Sequence, residues 1–277
     1  MIMRPLGQFT RGMVLELKMS FWEHLEELRK RLIIIFATVI ILFVYFFAFG
    51  YSSTSIGGIT LVYPIPTMDD SISAVFFRKI LDDLVPATVN GQPIEVYAGL
   101  TGGMVTLFYV SIFLALIFAM PLIVHQLWSF FAPGLYSHEK RLIMKMVFPA
   151  FALFLIGCLF AYMIIIPFII KFLIDVIFAV GGEPLVTVED LITFILLFTL
   201  AFGIVFELPI IMAGITKLGV IEPQFWKENW RWALIGSLLF GGVITPDGSG
   251  ITQLMVAIPM MVLYAIGYLV SKRMRKG

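Results

Sequence analysis

Six stretches of this chain are almost continuously apolar, and charge, glycine and proline concentrate between them. A helix needs about 20 mainly apolar residues to cross the roughly 30 Å hydrocarbon core of a bilayer. The pattern therefore predicts spanning helices at about Leu32–Phe49, Met104–Leu127, Met146–Ile166, Leu191–Thr216, Trp232–Ile244 and Ile251–Val270. The fifth, about 13 to 15 residues, reaches only about 20 to 22 Å, a deficit that bilayer thinning or neighbouring helices must absorb. Ahead of the first span, Ser20-Phe21-Trp22-Glu23 reads as a capping box that opens an amphipathic helix over residues 20–31. Helical spacing puts Phe21, Leu25, Leu28 and Leu32 on one face of it. Residues 50–103 form a long outer segment, at first rich in Gly, Ser, Pro and Thr. Within it, Asp70–Leu84 carries Ile72, Val75, Phe76, Ile80 and Leu84 at helical spacing, which predicts a short interfacial helix. Pro246–Gly250 reads as a tight turn. Pro121, Pro149, Pro167 and Pro259 interrupt or end spans and predict kinked helices forming a concave wall.

Composition turns this pattern into an all-α polytopic membrane protein. The 277 residues are 60% hydrophobic and only 13% charged, whereas a soluble domain is about 25% charged. The chain divides into a segment 1–31, one membrane domain 32–270 and a tail 271–277. Orientation follows from the bias of Lys and Arg toward the cytoplasmic side. With the N-terminus inside, sixteen of the 19 basic residues lie in inner segments, and only Arg78, Lys79 and Lys171 lie outside. Both termini are therefore expected in the cytoplasm. Cys158, the lone cysteine, sits in an apolar run as a core filler and allows no internal disulfide.

The chemistry-bearing positions are few. In the N-terminal helix Glu26 and Glu27 are spaced to pair with Lys30 and Arg31 within the helix, or to face a ligand. In the first inner loop, Phe130-Phe131-Ala132-Pro133-Gly134-Leu135-Tyr136-Ser137-His138-Glu139 ends the second span and starts the next helix. Glu139 there stabilises a helix dipole or serves a site. Glu207 needs a stronger reason. It lies about 10 residues, or about 15 Å, from Lys217 inside an apolar helix, where a carboxylate costs several kcal/mol unless neutral, paired or wetted. Thr199, Gly203, Glu207 and Gly214 form a small and polar stripe that should turn toward the bundle or a cavity. Pro209 frees the Val205 carbonyl beside it. Glu207 alone also fits a secondary transporter or proton-conducting subunit, although no repeat and no polar relay accompany it. No phosphate-binding loop occurs. The three histidines, His24, His125 and His138, all sit near the inner surface, so neither a metal nor a cofactor is implied, nor a nucleic-acid partner, nor an enzyme.

Four motifs in order then carry a resemblance. They are His24-Leu-x-Glu27-Leu-Arg29-x-Arg31-Leu, the loop Phe-x-Ala-Pro-Gly-Leu-Tyr-x-x-Glu139-x-Arg141, Phe206-Glu207-x-Pro209, and Thr245-Pro246-Asp247 followed by Gln253 and Ala257-Ile258-Pro259. Over about residues 20–272 the chain resembles the TatC family, the core subunit of the twin-arginine protein translocase. Two positions depart from the family pattern, the turn after the fifth span, which lacks a second proline, and Ala265, where the family often has Glu. The resemblance implies a TatC-like fold in the cytoplasmic membrane of a prokaryote. It implies binding of twin-arginine signal peptides of folded cargo at the cytoplasmic face by Glu27 and Glu139, with Arg29, Phe130, Tyr136 and His138 beside them. It implies assembly with TatA/TatB-type single-span proteins at Glu207, Pro209, Thr199 and Gly203, self-association, and export driven by the proton-motive force. Glu207 is accordingly expected to face a partly hydrated cavity that admits partner helices, and Asp247 and Gln253 to mark the outer turn.

Overall fold

The computed structural model describes residues 21–56, 59–84, 88–89, 92–93, 95–131, 137–245 and 247–274. Its first helix, α1 (Phe21–Ala48), runs without a break from the N-terminal motif through the first span, since no glycine or proline interrupts it. The face it packs differs from the amphipathic expectation. Leu25 and Leu32 are exposed, whereas His24, Glu27, Leu28 and Arg31 turn inward. Where lipid is the solvent, apolar side chains lose nothing by facing out, and it is polar groups that gain from protein partners.

The described parts of the long segment 50–103 carry more regular structure than its composition suggests. β1 (Phe49–Ile56) and β2 (Ile59–Pro66) form an antiparallel hairpin in register from Phe49↔Pro66 to Ile56↔Ile59. Next comes α2 (Ile72–Leu84), the expected interfacial helix, with Ile80 and Leu84 in the core and Ser73 Oγ donating to the Phe46 carbonyl at 3.1 Å. Two short strands, β3 (Thr88–Val89) and β4 (Gln92–Pro93), pair antiparallel, and β5 (Glu95–Tyr97) leads into α3 (Gly102–Phe131).

α4 (Ser137–Phe160) continues through a π-helical turn, Ala161–Ile165, into α5 (Ile166–Ala179). The third span thus reaches Ala179 rather than stopping near Ile166. Pro167 lacks the N–H that Met163 would accept, and the turn before it widens so that the Ile166 N–H reaches Ala161. The helix survives its proline. β6 (Leu185–Thr187) then pairs in parallel with β5, tying two loops at the same end of the bundle together. The fourth span is two helices, α6 (Val188–Phe206) and α7 (Leu208–Lys217), broken at Glu207. α8 (Pro223–Glu228), α9 (Trp230–Ile244) and α10 (Gly250–Met274) complete the chain. Among the described residues five helical rods are long and apolar enough to cross a membrane, and the 15-residue α9 is the short one, compatible with six spans.

The α4–α6 crossing depends on glycine. A Cβ on Gly157 would stand 2.6 Å from the Phe202 carbonyl oxygen, and one on Gly203 would stand 2.6 Å from the Phe154 ring and 2.8 Å from Cys158 Sγ. A backbone carbonyl cannot yield as a side chain does. Gly157→Ala should therefore cost about 1–3 kcal/mol through overpacking. Gly236→Ala, on a part of α9 with nothing within 4 Å, should instead gain about 0.5–1 kcal/mol of helix propensity. Thermal denaturation in detergent reads both, and equal midpoints would contradict the crossing described.

Candidate functional site

Two groups of polar residues break the apolar pattern, one at the end of the bundle that carries the N-terminus and one within the fourth span. At the first, α1 and α3 run antiparallel, so the start of one meets the end of the other. Arg31 donates from Nε at 3.1 Å and from Nη2 to Glu27 Oε1, and from Nη1 at 3.2 Å to Gln126 Oε1 on α3. The His24 ring stacks on Phe130 with centroids 4.2 Å apart. Glu27 is thereby held by its own helix and, through Arg31, by α3. Its side chain is 18% exposed, and its other oxygen, Oε2, is enclosed with no hydrogen-bond partner among the described residues. A carboxylate has about four lone-pair sites and Arg31 uses only one oxygen, so acceptor capacity is left over.

Glu26 pairs with Lys30 at 2.9 Å, with both side chains largely exposed. Both within-helix pairings expected from spacing are thus formed, yet only the Glu27 pair is anchored to a second helix. Arg29 is exposed on the opposite side of α1. Tyr136 lies outside the described residues. His138 and Glu139 stand in the first turn of α4, where the backbone alone is described.

Within the fourth span, Glu207 both ends α6 and starts α7. Its N–H reaches the Ile204 carbonyl at 3.1 Å and its carbonyl accepts from Ile211 at 2.9 Å. Pro209 follows in the first turn of α7, with no N–H to offer Val205. The expected hydrated cavity is not what surrounds this side chain. Glu207 is 6% exposed, and its Oε1 is enclosed with no hydrogen-bond partner among the described residues. Close helix approaches explain the enclosure, with Gly157 and Gly203 admitting α4, and Gly267 bringing α10 against Pro209 and Met212. Thr199, also buried, satisfies itself by donating to the Ile195 carbonyl at 2.7 Å.

Asp247 and Gln253 serve the turn between α9 and α10. Asp247 Oδ1 accepts from the Thr252 hydroxyl at 2.6 Å, and Gln253 Nε2 donates to the Leu238 carbonyl at 2.8 Å. Partial burial alone would raise the Asp247 carboxyl, but hydrogen bonds from Ser249 and Thr252 leave it below the usual carboxylate range. Two contacts had no sequence signal. Trp226 Nε1 donates to Thr216 at 2.9 Å while Tyr264 donates to the Trp226 carbonyl at 2.6 Å, clasping α7, α8 and α10 together. Gln126, which links α3 to Arg31, sits beside His125 in an otherwise mainly apolar run and could have been noticed as such.

Fold and site define a multi-pass helical membrane protein with an anchored carboxylate at one end of the bundle and an enclosed one at a helix break. Comparison with known proteins gives it a family. A profile of the Sec-independent protein translocase protein TatC matches residues 23–259. The TatC of Cenarchaeum symbiosum is 33% identical over 256 residues, covering 92% of this chain and 96% of its own. That of Aquifex aeolicus is 32% identical over 257 residues, covering 92% and 95%. A crystal structure described as the twin arginine translocase receptor TatC superposes with a TM-score of 0.72 at 29% identity, covering 91% of this chain and 99% of the other.

The chain belongs to the TatC family. It is a membrane-embedded subunit of the Sec-independent, twin-arginine protein translocase and not an enzyme. This decides against the transporter alternative raised by Glu207 alone.

Proposed function

We propose that this subunit receives twin-arginine signal peptides of folded cargo at its cytoplasmic face, with Glu27 as a primary contact. The observation that carries the reading is the Glu27 carboxylate, held in place by Arg31 and, through it, by Gln126, with Oε2 lacking a hydrogen-bond partner among the described residues. With Oε1 taken by Arg31, an arriving guanidinium donates to Oε2 once the groups enclosing it move aside, and a fixed acceptor loses little entropy on binding. Glu139 supplies the second carboxylate from the start of α4. The stacked pair His24 and Phe130, with Tyr136 and His138, takes the apolar residues that follow the arginines, and Arg29 on the exposed side of α1 completes the set.

Within the membrane, the break at Glu207 and Pro209, with Thr199 and Gly203 above it, is where a TatA/TatB-type single-span partner is met. The Glu207 oxygen has no donor among the described residues, so a partner that parted the helices around it would bring a polar group that removes the penalty both would otherwise carry in hydrocarbon. Self-association and proton-motive-force-driven export belong to the same proposal.

The test is site-specific photocrosslinking. A photoreactive residue at His24 or Phe130 should capture a twin-arginine signal peptide and not its twin-lysine counterpart, whereas one at Tyr63 should capture neither. Equal capture of both peptides would remove the receptor reading. Orientation is checked separately, since sixteen of the 19 basic residues favour an inner N-terminus. Cysteines at Glu139 and Lys227 should resist an impermeant thiol reagent in sealed cells, and one at Asp83 should react. Labelling at 139 and 227 would invert the topology.

A further inference from the structure

Under α2, at the end of the bundle opposite Glu27, the helices leave a cavity of about 430 Å³ between α2, α3, the α4–π segment and α6. It is separate from the Glu27 group and from Glu207, and touches the second polar group only at Thr199. Phe76, Ile80, Phe113, Ile117, Leu155 and Leu196 form its walls. The polar groups that reach it are already committed. Thr199, at the deep end, donates to the Ile195 carbonyl at 2.7 Å, and Tyr162, at the rim, donates to Asp83 Oδ2 at 3.0 Å. Water needs two to four partners and would find few here. A polar ligand would forfeit its hydrogen bonds, whereas a hydrocarbon forfeits nothing.

The depth suits a chain. From Tyr162 to Leu155 is about 10 Å of helix, the length of several methylenes. The mouth suits an anion. Lys79 is 69% exposed and gives a single donor, at 3.2 Å, to Asp83 Oδ1, which leaves the ammonium about two further donors. The Asp83 carboxylate is engaged at both oxygens, by Lys79 and by Tyr162, and these hydrogen bonds, that from Tyr162 foremost, hold it below the usual carboxylate range. Asp83 stays ionised and takes one Lys79 donor, so a lipid phosphate would share the ammonium with it through the remaining donors.

We propose that this cavity is a phospholipid site, in which one hydrocarbon chain fills the space under α2 and the lipid phosphate rests on the Lys79 ammonium. The chain completes the core beneath a helix that otherwise roofs a void, and the site stands independently of how the signal peptide is read. Its lipid belongs to the leaflet on the α2 side of the protein.

Native mass spectrometry of the full chain released from nanodiscs of mixed phosphatidylcholine and phosphatidylglycerol tests it. One phospholipid should stay bound per chain when the surrounding lipid is stripped, with phosphatidylglycerol favoured. Lys79→Gln, a surface change, should lower that preference about three- to fivefold, the scale of an exposed ion pair, while Lys171→Gln should leave it unchanged. Ile117→Trp, which fills the cavity from its wall, should abolish retention, and Leu159→Trp offers a second filling variant should the first not fold. Retention unaffected by either filled variant, no lipid retained by the native chain, or an Ile117→Trp variant that loses a bound peptide instead of a lipid would each overturn the proposal.

Discussion

Changing Glu27 to alanine is expected to weaken binding of a twin-arginine signal peptide by about 10- to 100-fold, the effect of losing a charged hydrogen bond worth about 1.5–3 kcal/mol. Two effects add in the same direction. The incoming guanidinium loses its acceptor, and Arg31 loses the carboxylate that now takes two of its donors. An Arg31 with Gln126 as its remaining described partner would repel a second guanidinium. Glu27→Lys should therefore be worse than Glu27→Ala, and Glu27→Ala with Glu139→Ala should bring binding to the level of a twin-lysine peptide. Glu26→Ala is the control, because the Glu26–Lys30 pair is largely exposed and anchored to nothing else; it should change affinity by no more than about twofold. Fluorescence anisotropy with a labelled signal peptide and detergent-solubilised protein measures all four. Unchanged affinity in the double variant would remove Glu27 and Glu139 from the site.

At Glu207 stability and transport are expected to move in opposite directions. Glu207→Leu keeps roughly the volume of the side chain while removing an enclosed oxygen that has no partner among the described residues, so the variant should be more stable by about 1–3 kcal/mol. Transport of a folded twin-arginine cargo should nevertheless fail, since the carboxyl that would engage a partner's polar group is gone. Signal binding should survive, because Glu207 stands in the fourth span and Glu27 at the start of the first. Glu207→Gln keeps a hydrogen-bonding group and should retain more transport than leucine. Melting midpoints, peptide binding and export assays on the same variants separate these outcomes. A Glu207→Leu protein that exports normally would return Glu207 to a purely local role at the helix break.

The amino-acid sequence by itself determined what lipid solvation imposes. An apolar run of about 20 residues has few alternatives to a spanning helix, and so the six segments, the helix at Ile72–Leu84 and the carbonyl freed by Pro209 were legible before any coordinates, whereas the fourth span was read as one helix and not as two broken at Glu207. Local pairings such as Glu27 with Arg31 were legible as well, because helix geometry alone places them. The tertiary structure decided everything that depends on which side of a helix meets protein. In water an apolar face points inward, but in a bilayer both directions are apolar, and hydrophobicity no longer tells inside from outside. That is why Leu25 and Leu32 face out while His24, Glu27 and Arg31 face α3, and why Glu207 lies enclosed where a hydrated cavity was expected. Long-range pairings were equally hidden. The β5–β6 ladder joins residues about 90 positions apart through backbone groups that carry no side-chain code, and the π turn before Pro167 lets the third helix run on to Ala179 where a proline would be read as its end.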